Sequence, residues 1–156
     1  MQYAVIARLR LMVACLAFAI VTTGAANAQH GFQPGTLQID VGQYLASAFG
    51  WVKDAHVRGV LGRNEPRSGH ENWCRSQQRA CPGEFRRFLN VLERDGPRQN
   101  VQRRCYIAAN LQAAREQLTR RISGPRDGHY NWCMNNQRSA TAFLREEIHL
   151  LRQLVR

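Results

Sequence analysis

Lysine is nearly absent from this chain: of 22 basic residues only Lys53 is not an arginine, and 11 acids leave a net charge of +11. Such a skew follows from GC-rich coding as readily as from selection, but it makes bidentate contacts to phosphate or carboxylate available. Long apolar runs are also missing. The longest, Leu11 to Thr23, falls short of the roughly 20 residues that a helix needs to cross a bilayer. No period-two alternation of useful length follows Gln38, which excludes a sheet. Nor is there a Gly-x-Ser-x-Gly elbow, Ser-x-x-Lys, His-Glu-x-x-His, Cys-x-x-Cys or phosphate-binding glycine loop, so no familiar catalytic apparatus is encoded. The doublets Arg86-Arg87, Arg103-Arg104 and Arg120-Arg121 lack the interleaved aromatics of a single-strand binder. They read as solvated helix faces, and nucleic acid is excluded as a partner.

What is present begins with the N-terminus. Arg8 and Arg10 precede the apolar stretch and Ala26-Asn27-Ala28 closes it, the pattern of a secretory signal peptide over residues 1–28. Cys15 is not a lipidation site on this reading, because apolar residues continue beyond it through Leu16, Phe18, Ile20 and Val21. Loss of Arg8 and Arg10 with the leader brings the charge to +9. A loose arm over 29–38 then leads into one domain over 39–156. The expected location is the periplasm or the medium, where lipopolysaccharide phosphates, acidic lipids and cell-wall carboxylates are the abundant anions.

The most specific signal is an internal duplication. Pro66-Arg67-Ser68-Gly69-His70-Glu71-Asn72-Trp73-Cys74 aligns with Pro125-Arg126-Asp127-Gly128-His129-Tyr130-Asn131-Trp132-Cys133 at an offset of 59, and Gln78-Arg79 aligns with Gln137-Arg138. That is nine identities in fourteen, where unrelated segments give about one. Repeat 1 spans about 41–95 and repeat 2 about 100–155.

Apolar spacing makes both repeats helical. Phe85, Phe88, Leu89 and Leu92 form one stripe; Val101, Cys105, Ala108, Leu111, Leu118 and Ile122 form another. Phe143, Leu144, Ile148, Leu151 and Leu154 form a third, and Leu45, Ala48, Phe49, Val52 and Val60 a fourth that Gly50, Gly59 and Gly62 weaken. Asp95-Gly96-Pro97 and Gly124-Pro125 read as left-handed caps followed by a helix-breaking proline. Ser68 to Glu71 has capping-box spacing, with Asp127 in the place of Ser68, so helices are expected to start just after Ser68 and Asp127. The predicted fold is all-α: four helices, as two tandem hairpins stapled by disulfides.

In such helices His70, Trp73 and Cys74 share a face, as do His129, Trp132 and Cys133. The plainest reading is structural, with Trp73 and Trp132 as core anchors and Cys74, Cys81, Cys105 and Cys133 in disulfides. Cys81 aligns with Ala140 and Cys105 with Ala46, so symmetry favours Cys74 with Cys133 and Cys81 with Cys105. A second reading makes Arg67, His70, Asn72, Trp73, Arg126, His129, Asn131 and Trp132 the lining of one ligand groove, its arginines holding phosphate or carboxylate. A third uses His70, Cys74, His129 and Cys133 as zinc or copper ligands. His56 and His149 read as helix-face residues. The function expected is that of an exported, non-enzymatic binding or interaction protein, its partner an anionic envelope component or another envelope protein; the alternative is a periplasmic zinc or copper protein.

Overall fold

The computed structural model describes residues 44–121 and 124–156. The expected leader and arm, the start of the expected repeat 1 and Ile122 lie outside them. All regular structure among the described residues is helical: α1 (Ala46–Asp54) with a π-helical extension (Ala55–Val60), α2 (Arg67–Ser76), α3 (Cys81–Asp95), α4 (Val101–Thr119), α5 (Arg126–Asn135) and α6 (Ala140–Leu154). Short 3-10 turns over Gly96–Arg98 and Gln137–Ser139 link α3 to α4 and α5 to α6. None of these helices is long and apolar enough to cross a membrane.

Six helices replace the expected four because the repeated segment forms a short helix of its own. The chain breaks after α2 and again after α5, at Gln77 and at Asn136, where ψ opens to 47° and 46°. Pro82 then sits in the first turn of α3, where its missing N–H costs nothing. The bounds of α2 and α5, and of α3 and α6, are each 59 residues apart.

The helix starts differ by a residue or two from those expected. Extended Pro66 and Pro125, at ψ 124° and 149°, precede α2 and α5, and neither helix has a side-chain cap. Glu71 therefore closes no capping box; it pairs with Arg67 at 3.0 Å and Arg75 at 3.6 Å. The side-chain cap is Asn100, which accepts from the Arg103 amide at 2.9 Å. Neither Gly96 nor Gly124 is left-handed: Gly96 has φ −59°, and it is Arg120, at φ 54°, that ends α4.

The core lies where the stripes predicted it, with Leu45, Phe49, Val52, Phe85, Leu89, Leu92, Leu111, Leu144, Ile148 and Leu151 all buried. Helix α4 is buried almost all round and packs against α1, α5 and α6, while α3 packs against α6. The glycines of α1 and its extension permit close packing. A Cβ on Gly59 would stand 2.4 Å from Ile107 Cγ1, and one on Gly50 would stand 2.5 Å from Glu71 Cγ. Tyr106 of α4 donates to Asp54 Oδ2 of α1, and burial, then that hydrogen bond, raises the phenol above its usual value. Arg152 grips Glu93, exactly one repeat offset earlier, at 2.7 Å.

Both disulfides lie within a repeat. Cys74 bonds Cys81, with Cα atoms 5.1 Å apart, and Cys105 bonds Cys133, with Cα atoms 5.4 Å apart. The expected pairing of Cys74 with Cys133 and Cys81 with Cys105 is thus incorrect. Symmetry misled because the second helix of a repeat can be tied either to the third, as Cys74 is, or to the first, as Cys133 is. The break over 77–80 brings Cys81 back to Cys74, which an unbroken helix could not do.

Candidate functional site

The two tryptophans of the repeated segment are not core anchors. Trp73 is 39% exposed and Trp132 is 51% exposed, each backed by another ring. Trp73 stacks on Phe49 with centroids 5.3 Å apart, and Trp132 meets the edge of Phe143 at 5.2 Å. The segment's cysteine faces inward and closes a disulfide, leaving the indole at the rim.

The remaining residues of the segment form two groups, one on α2, which packs on α1, and one on α5, which packs on α4. Around Trp73, the Arg67 guanidinium lies 3.7 Å over the Trp51 ring, and exposed Asn72 accepts from Arg75 at 3.4 Å. His70 is nearly buried, its Nε2 3.7 Å from Glu65 and without a hydrogen bond. Burial, then the charge of Lys53, holds its pKa below the usual value, so the ring is neutral at pH 7. Around Trp132, Arg126 pairs with Asp127 at 2.7 Å and lies 5.3 Å from the Tyr106 ring, while Asn131 is exposed. His129 Nε2 lies 3.1 Å from Glu116 Oε1, off the direction of a hydrogen bond.

The zinc or copper set is not available. Both sulfurs it requires, those of Cys74 and Cys133, are consumed in disulfides and cannot be thiolate ligands. Among the described residues no other group of three or more His, Cys, Asp or Glu is placed to hold a metal ion.

The second group opens onto a cleft of about 510 Å³ lined by Gln112, Arg115, His129, Trp132, Phe143, Glu146, Glu147 and Leu150. Glu147 is buried and held by Arg115 through bonds of 2.7 and 3.0 Å, yet burial outweighs the guanidinium and raises its pKa above the usual carboxylate value. Glu146 is exposed and forms no ion pair with a described residue.

One repeat earlier the same positions carry different chemistry. Gln112, Arg115, Glu146 and Glu147 align with Lys53, His56, Arg87 and Phe88. There the Phe88 ring is covered, with Lys53 Nζ at 4.0 Å, the Arg87 guanidinium at 4.7 Å and the His56 ring at 5.1 Å. Burial lowers the pKa of Lys53 and of His56. The sequence reading named His129 and Trp132 but missed Arg115, Phe143, Glu146 and Glu147, which lie outside the block of identity. Their signal is the place where aligned repeats reverse in charge.

Comparison with known proteins gives no match: no family model matches the chain, and no curated protein or solved structure matches it significantly.

Proposed function

We propose that the chain is an exported binding or interaction protein of the bacterial envelope rather than an enzyme, built by tandem duplication, with an anionic envelope component as its partner. The leader over 1–28 and two disulfides support export to the periplasm or beyond. The common offset of α2 with α5 and α3 with α6, together with the Glu93 to Arg152 pair, supports two halves related by a pseudo-two-fold axis.

One observation carries the choice of an anionic partner. Every described acid except Glu146 lies within 4.0 Å of an arginine or histidine nitrogen. Meanwhile exposed Arg63, Arg79, Arg86, Arg121 and Arg138 form no ion pair with a described residue. The excess of positive charge is therefore presented to solvent on guanidinium groups suited to phosphate.

Sedimentation of the mature protein with lipopolysaccharide, and with vesicles of phosphatidylglycerol or of phosphatidylcholine, tests this. Binding to the anionic probes is expected at low salt, with progressive loss as salt shortens the screening length. Arg79→Gln with Arg138→Gln should weaken it. Equal binding to phosphatidylcholine, or no binding to either anionic probe at low salt, overturns the proposal.

A further inference from the structure

From the cleft between α4, α5 and α6 we infer a second site, independent of the anionic surface, for an organic cation: an ammonium or guanidinium group on an apolar body. The first half shows the arrangement closed by the chain's own groups, with the Lys53 ammonium and the Arg87 guanidinium held over the Phe88 ring. Cations seek the negative face of such a ring. In the second half Gln112 stands where Lys53 does and Glu146 where Arg87 does, so both of those cations are gone; Arg115 takes the place of His56 and Glu147 that of Phe88, so the ring left to meet a cation is that of Trp132.

The replacement reverses the local charge. Of the charged residues lining the cleft, Glu146 and Glu147 are acids and Arg115 is the permanent cation. This contrasts with a surface on which guanidinium groups outnumber acids. Glu147 is neutralised by its two bonds from Arg115, so Glu146 is the carboxylate left to meet a ligand. His129 also lines the cleft, with its buried Nε2 turned to Glu116 at 3.1 Å.

Aromatic surface completes the site. Trp132 is half exposed and fixed by the Phe143 ring, offering a flat face beside the carboxylates. A volume of about 510 Å³ lies within the range of small-ligand sites, roughly 300–1,000 Å³. Acid and indole together select a cation with hydrocarbon attached, whether a free small molecule or a basic side chain of a polypeptide.

The test is titration of the ¹⁵N-labelled mature protein with phenethylguanidinium, read at the Trp132 indole N–H. Phenylpropionate and phenethyl alcohol serve as anionic and neutral probes of similar skeleton. The guanidinium should shift the Trp132 resonance saturably and leave that of Trp73 in place. Glu146→Gln, at an exposed position that does not hold the fold, should weaken binding about tenfold, the loss of one charged hydrogen bond. Glu146→Arg should abolish it while melting is unchanged. An arginine-containing peptide that binds more tightly than phenethylguanidinium assigns the cation to a polypeptide, and the reverse order to a small molecule. Equal response to phenylpropionate or to the alcohol, or undiminished binding by Glu146→Arg, overturns the inference.

Discussion

His56 and His70 are the residues through which acid should act on this fold. Burial, then the charge of Lys53, lowers both pKa values below those of an unfolded chain, so both rings fold in the neutral form. A lowered histidine contributes stability that is complete above its unfolded value, about 6.5, and is lost as the pH falls through the folded value. Glu147 acts in the opposite sense: its raised pKa contributes stability below the unfolded carboxyl value and loses it as the pH rises through the folded one. Urea midpoints should therefore decline from about pH 7 to about pH 5, and His56→Gln with His70→Gln should flatten that decline. An equally steep decline in the double variant contradicts the assignment. The sequence gives His56 as a helix-face residue, and on that face its ring lies 5.1 Å from that of Phe88. Nothing in the local spacing distinguishes a half-buried histidine from a solvated one, because the ring it meets, Phe88, comes from another helix, α3.

At the scale of the elements, each short helix is tied to a different neighbour. The Cys74 to Cys81 bond closes a separation of 7 residues and the Cys105 to Cys133 bond one of 28. Chain entropy then assigns about 2.4 kcal/mol to the first and about 3.6 kcal/mol to the second. Replacing each pair by alanine and comparing urea unfolding should show the larger loss for Cys105 and Cys133; the reverse order would mean that packing, not loop closure, governs the staples. Ala140 packs with Cys105 and Cys133, and Ala46 shares the main core cluster with Cys74 and Cys81. The proposed duplication makes Ala46 the counterpart of Cys105. Ala46→Cys combined with Cys81→Ala should therefore form a bond to Cys74 under oxidation, and free thiols in that variant would count against equivalence of the halves. The apolar stripes located the long helices in the sequence, because burial repeats at helical spacing. The starts of α2 and α5 were displaced because proline sets the backbone at the helix entrance without supplying a side-chain cap. Disulfide pairing was hidden because it depends on which two helices carry cysteine where three meet.

At the scale of the whole molecule, the all-helical class followed from periodicity and the absence of alternation, while the opposition of the two halves did not. Identity at His70 and His129, and at Trp73 and Trp132, suggested one groove lined from both copies. The reversal from Lys53 and Arg87 to Gln112 and Glu146 can be read in the aligned sequence, but its place in a cleft with His129 and Trp132 follows only from how α4, α5 and α6 meet. The proposed envelope function rests on export and folding in an oxidising compartment, where the four cysteines pair as two staples. Mass spectrometry of the protein recovered from the exported fraction, kept non-reduced and then mapped by peptide, addresses this first. A chain beginning at Gln29, lighter by four hydrogens and yielding linked peptides for Cys74 with Cys81 and Cys105 with Cys133, is the expected result. A chain retained in the cytoplasm with residues 1–28 in place and four alkylated thiols beyond them would contradict it, and would remove the envelope anions as partners.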